Sequence, residues 1–191
     1  MQLSNTFIHL IGHAGVGKYT TGLELARTTG AKLVDNHLIN NPLLNVIEQD
    51  GKTPLPDVVW REAGKIRKSV LFAIREISPA HYSFVFTNVL FEDDTDKNTY
   101  DQVLRLARAR KAAFFPVVLS CGPQELKKRK VAPGRREQFK DINADNVESL
   151  LKSREILKIK HPNLLTLDVT DITAEQSAGK ILEHVRSRHA D

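Results

Sequence analysis

The sequence predicts an α/β fold: a three-layer sandwich in which a five-stranded parallel sheet lies between helices. Three observations carry this expectation. Short apolar runs bounded by turn residues recur along the 191 residues. Segments with helical apolar spacing separate them. The first run passes directly into a glycine-rich turn that opens a helix. Alternating strands and helices bury both faces of a parallel sheet, so the strands read as continuous apolar stretches.

The first strand is expected over Thr6–Ile11. A helix follows from the glycine-rich turn to about residue 29, with Gly30 as its stop. The second strand covers residues 31–35 and a short helix covers 42–49. A loop at Gly51-Lys52-Thr53-Pro54 comes next. The longest helix has the clearest period. Val59, Ala63, Ile66, Val70, Ala73 and Ile77 form one apolar face, with Arg61, Glu62, Lys65, Arg67 and Lys68 off it and Asp57 as N-cap. The third strand spans residues 83–88, its apolar run extended to 91, and after a polar turn a helix covers about 96–111. The fourth strand spans 114–120. Pro123 suits the first turn of a helix ending near Lys130, where Pro133-Gly134 interrupts the pattern. A helix over about 143–155 and a fifth strand over 163–169 complete the sheet. The last helix opens with Thr173 and Gln176, a capping-box pair, and buries Ala178, Ile181, Leu182 and Val185. No internal repeat or linker divides the chain, so residues 1–191 read as one domain.

Composition narrows the functional classes. Hydrophobic residues are 41% and charged residues 27%, ordinary for a globular protein. No apolar run approaches the ~20 residues of a membrane span, and no signal-peptide pattern precedes the first strand. Cys121 is the single cysteine, so no internal disulfide forms and a cytoplasmic setting is expected. Its apolar neighbourhood reads as packing rather than nucleophile. Net charge is +5, but the basic residues are dispersed except for Lys127-Lys128-Arg129-Lys130 with Arg135-Arg136. No aromatic residues interleave with that cluster, so nucleic acid is not an expected partner. Paired zinc-ligand spacing is absent, and no metal ligand is assigned.

The chemistry concentrates in Gly12-His13-Ala14-Gly15-Val16-Gly17-Lys18. Phosphate oxygens need several donors converging from one side. A tightly curled glycine-rich main chain supplies N–H groups, and the helix behind it aims its positive end at the same anion. Lys18 then reaches the β- and γ-phosphates. The nucleotide-binding residues are therefore Gly12, His13, Ala14, Gly15, Val16, Gly17, Lys18, Tyr19 and Thr20. The usual motif, G-x-x-x-x-G-K-[ST], ends in a hydroxyl that binds Mg²⁺. Tyr19 stands there instead, and Thr20, one residue on, is rotated by about 100° around the helix. Phosphate binding through main chain and Lys18 is expected to survive, whereas direct metal ligation is not.

The phosphate loop, five strands in under 200 residues and a basic segment after the fourth strand resemble the small-metabolite P-loop kinases, the superfamily of shikimate, gluconate, adenylate and nucleoside kinases. The resemblance implies strand order 2-3-1-4-5 and a cleft at the carboxyl ends of the strands, which open α/β sheets also favour in general. It implies ATP as cosubstrate, a small-molecule acceptor, and a lid at about residues 122–145. Arg129, Arg135 and Arg136 of that lid would close on the transferring phosphate; a solvated basic helix end is the competing account. By the same resemblance Asp35 contacts the acceptor hydroxyl, as base or as orienting group; it could equally cap the next segment. His37 reads as a polar loop residue, Trp60 as packing. Arg61 and Arg67 either border the acceptor cleft, favouring an anionic acceptor, or form a solvated face. Asp168 and Thr170 border the adenine or simply end the last strand. Many P-loop enzymes place an acid at the end of the third strand; here it is Asn88, so Tyr19 and Asn88 both depart from the magnesium pattern. Three functions follow: an ATP-dependent small-molecule kinase, a nucleotide-binding protein without catalysis, and, least favoured, a nucleic-acid binder.

Overall fold

The structure is a computed structural model that describes residues 2–133, 135 and 140–189, with His189 by its backbone only. Five parallel strands form one sheet: β1 (Thr6–Ile11), β2 (Lys32–Asp35), β3 (Phe84–Asn88), β4 (Ala113–Ser120) and β5 (Leu165–Asp168). Their order is β2-β3-β1-β4-β5, as the resemblance implied. Helices α1 (Lys18–Thr29), α2 (Asn36–Leu44), α3 (Asp57–Glu76), α4 (Asp94–Ala109), α5 (Pro123–Lys130), α6 (Val147–Ser153) and α7 (Ala174–His189) connect and cover the strands.

Alternation along β1 divides the interior in two. Ile8 and Leu10 point into a cluster with Leu25 of α1 and Ala178, Ile181, Leu182 and Val185 of α7. Phe7 and Ile11 point the other way, with Phe86, Phe114, Ile74 of α3 and Tyr100, Val103 and Leu106 of α4. Both sheet faces are therefore dry, and β1, paired to β3 and β4, is buried along its whole length. The register Ile11↔Asn88 and Ile11↔Val118 brings the three central strands to one edge together, and there the cleft opens.

Most elements lie where the sequence places them, and the differences have local causes. Helix α2 begins six residues before the expected start, because the Asp35 carboxylate accepts from the His37 N–H and caps it at the strand end. Pro42 then falls in its last turn, where few backbone bonds remain to lose. Pro56, not Asp57, is the N-cap of α3. The expected apolar face of α3 is only partly used: of its members Ala63 is buried and Ile77 is 74% exposed beyond the helix end, while Ile74, not counted in that face, is buried. Helix α6 is shorter than expected, since Asp141, Asn143 and Asn146 bind the Lys130 ammonium instead. Thr173 and Gln176 form the reciprocal capping box ahead of α7. Among the described residues no helix is long and apolar enough to cross a membrane.

Candidate functional site

A cleft of about 1250 Å³ lies at the carboxyl ends of the strands. The phosphate loop, the end of β2, α2, α3, the start of α4 and the segment after α5 all contribute to it.

The loop between β1 and α1 is shaped by its glycines. Gly15 and Gly17 have φ of 93° and 106°, where an L side chain is strained. Gly12 is fixed by approach: a Cβ there would lie 2.5 Å from the Leu119 carbonyl oxygen. Gly17 is the N-cap of α1 and has no side chain to occupy the first-turn N–H groups, which leaves them for an anion. Lys18 folds back over the loop and donates to the carbonyls of Gly12 (2.7 Å) and His13 (2.8 Å). Burial lowers its ammonium to about 7, with Arg135 and Lys140 pushing the same way and Asp35 opposing. Burial, then Lys18 and Lys130, hold His13 at about 4, so its imidazole is neutral at pH 7.

The metal side is organised differently. The Tyr19 ring lines the cleft, and the Lys140 ammonium sits 4.1 Å from its centre. Thr20 Oγ1 donates to the Gly17 carbonyl at 2.9 Å. Asn88 is buried: its Oδ1 faces His9 Nε2 at 2.9 Å, and its Nδ2 donates to Asn36 Oδ1 at 3.1 Å. His9 is fully buried beneath it, stacked on Tyr100, and desolvation lowers it to about 4. Among the described residues no group of three or more His, Cys, Asp or Glu side chains could hold a metal ion. The donor set does not fit a side-chain-ligated Mg²⁺.

Asp35 ends β2 and is buried, with one oxygen accepting from the Thr87 hydroxyl and the other from the His37 N–H. It thus caps α2 and still lines the cleft. Asn36 Oδ1 also accepts from Arg67 Nη2 at 3.2 Å. Arg67 is drawn inward, its Nε buried without a partner, while Arg61 lies outside, 69% exposed beside Glu62. Arg154 stacks on Phe91 at 4.1 Å, near Asp93, and Trp60 is 48% exposed at the cleft wall.

The sequence-predicted lid residues part company. Arg129 spends its guanidinium on Glu125 (2.8 Å) and on the carbonyls of Val16 (3.1 Å), Val169 (2.8 Å) and Thr170 (3.1 Å). It ties the phosphate loop to the exit of β5. Arg135 donates to the Asp141 carbonyl and lines the cleft, its Nε buried without a partner. Arg136 lies outside the described residues. Lys127, Lys128, Arg129 and Lys130 each pair with an acid, Glu148, Glu125, Glu125 and Asp141. Their charge is largely met within the protein rather than displayed toward a polyanion in solvent. Asp168 Oδ1 accepts from both the N–H and the hydroxyl of Thr170, closing the end of β5.

Lys140 and Arg154 were not singled out from sequence, whereas Asn36, expected beside Asp35 and His37 at the acceptor, lines the cleft with them. A lysine within the segment after β4 was the sole signal for Lys140. Arg154 carries none that spacing could expose.

The chain matches no protein-family model and no curated protein by sequence. It does match solved structures. A gluconokinase from Sinorhizobium meliloti superposes with TM-score 0.64 at 12% identity, over 97% of this chain and 94% of that one. A sugar kinase from a Janibacter species gives 0.63 at 17%, over 95% and 94%. Shikimate kinase from Acinetobacter baumannii, solved with shikimate, gives 0.56 at 20%, over 96% and 94%. With the strand order above, these likenesses establish the fold: it is that of the P-loop small-metabolite kinases.

Proposed function

We propose that the protein binds ATP on residues 12–20 and transfers its γ-phosphoryl group to a hydroxyl of a small metabolite. One observation carries the reading: the open first turn of α1, the Lys18 ammonium and the Asp35 carboxylate line a single cleft. Lys18 leaves the loop carbonyls to grip the β- and γ-phosphates. Asp35, held by Thr87 and His37, orients the acceptor hydroxyl and accepts its proton as transfer proceeds. Arg135 closes from residues 122–145, the lid of a single domain, and excludes water so that transfer outruns hydrolysis. Arg129 serves as a brace for the loop. Arg67, inward and incompletely paired, favours an acceptor bearing an anionic group. A cytoplasmic setting belongs to the same reading. The second reading, nucleotide binding without catalysis, is favoured by Tyr19 and Asn88.

The test is a panel of polyols, hydroxy acids and nucleosides incubated with ATP and scored by mass spectrometry for a phosphorylated product. The kinase reading expects one class to be phosphorylated and Asp35→Asn to slow it by roughly 10²- to 10⁴-fold. ATP binding with no product from any class would sink the kinase reading and leave the second.

A further inference from the structure

The hydroxyl of the usual motif is missing at Tyr19, and the neighbouring oxygens already hold hydrogen bonds within the protein. The Thr20 hydroxyl donates to Gly17, the Asn88 carbonyl oxygen faces His9, and both Asp35 oxygens accept hydrogen bonds. An ammonium group lines the same cleft. The Lys140 Nζ lies over the ring of Tyr19, the residue that replaces the hydroxyl. A tyrosine at that point is otherwise unexplained; as a π-face it seats a cation where a serine would have ligated one. Burial lowers the Lys140 ammonium, with Arg135 pushing the same way and Asp35 opposing, and Lys140, Lys18 and Asp35 all line the one cleft. The segment is held in place from both sides. Buried Lys130 binds Asp141 at 2.7 Å and the Asn143 carbonyl at 2.9 Å, while the Ile142 N–H reaches the Gly51 carbonyl at 3.3 Å across the cleft mouth.

We infer that Lys140, seated on Tyr19, supplies the positive charge that a protein-ligated magnesium ion provides in other phosphate-loop sites, so that this cleft binds the nucleoside triphosphate without requiring a metal. The inference rests on the nucleotide reading above and removes the metal requirement from it. Tyr19, Lys140 and Lys18 then act together, and the nucleotide makes its own choice about carrying a metal.

Calorimetric titration of ATP, once in EDTA and once in excess magnesium chloride, tests it on wild type, Lys140→Met, Lys140→Arg and Tyr19→Leu. Wild-type affinity is expected to differ by less than about threefold between the buffers. Lys140→Met should lose roughly ten- to a hundredfold in EDTA, the range of a lost charge-assisted hydrogen bond, while Lys140→Arg retains most of it. Tyr19→Leu should lose about two- to fivefold, having removed only the seat. Tight binding in magnesium that weakens tenfold or more in EDTA overturns the inference, as does Lys140→Met binding like wild type. Absence of ATP binding in both buffers would refute the nucleotide reading itself, and this inference with it.

Discussion

Residues 14–18 of the phosphate loop and, from α5 and the segment after it, Arg129, Arg135, Lys140 and Asn146 line the same cleft. The first segment is shaped by main chain, the second by side chains. The loop needs three glycines, one lysine and the start of α1, all consecutive in sequence. The facing segment needs Arg129 on three distant carbonyls, Lys130 buried against Asp141, and Lys140 on Tyr19. Main-chain sites demand the right residue at a few places and tolerate change elsewhere. Side-chain sites depend on partners far away in the chain, so no run of consecutive residues marks them. Two segments lining one cleft can therefore differ sharply in how well a motif describes them.

Substitutions can break this contrast, beginning with the largest expected effect. Gly12→Ala should cost about 2–4 kcal/mol in urea unfolding, because the Leu119 carbonyl oxygen that its Cβ meets is backbone and cannot move aside. A near-neutral result would mean that the loop is not fixed by close approach. Lys130→Met should cost about 2 kcal/mol, leaving Asp141 without its ammonium partner. It should also increase hydrogen exchange at residues 140–146 without altering exchange in α1. Uniform change across the domain would argue that the two segments are not separately built.

Protonation sharpens the comparison further. Lys18 has a folded pKa of about 7, below its ordinary value, and a bound triphosphate favours the ammonium. Above pH 7 the free protein loses this proton and the complex regains it. ATP binding at pH 8 should therefore take up close to one proton, measured by calorimetry in buffers of different ionisation enthalpy, and affinity should fall about tenfold per pH unit. Lys18→Arg should abolish the uptake. Between pH 7 and the ordinary lysine range the native state binds fewer protons than the unfolded chain, so ligand-free stability gains from Lys18 as pH rises through that window. The smallest effect expected is from Asn88→Ala, about 1–2 kcal/mol, since it strands the buried ring nitrogen of His9 and leaves the Asn36 oxygen with Arg67 as its donor. An Asn88→Asp variant that instead gained tight magnesium binding would show the metal side to be one residue away from the usual arrangement.

Much of the fold was legible in the chain. Thr6–Ile11, the continuous apolar strands and the capping box at Thr173 and Gln176 are local patterns, and the structure has them where the pattern falls. The sequence offered Asp35 both as the end of β2 and as a cap for the next segment, and it is both; that the helix opens at once at Asn36 was not legible. Arg67 looked like one more solvated charge on α3. Its inward turn came from Asn36, 31 residues away in sequence. Arg129 and Arg135 were visible as arginines but not as a brace and a cleft residue, since carbonyl partners leave no mark in composition.

The sequence alone determined the strand-to-helix curl around Lys18, because glycine conformational freedom and a helix start are properties of consecutive residues. It also marked the loss of the metal hydroxyl at Tyr19. Which cation faces that ring was decided only by tertiary structure. The pairing of Tyr19 with Lys140 joins two segments more than a hundred residues apart, and it is the register of β1 and β4 together with the anchoring of Lys130 that brings them together. Local chemistry is written in order along the chain; a charge placed by packing is not.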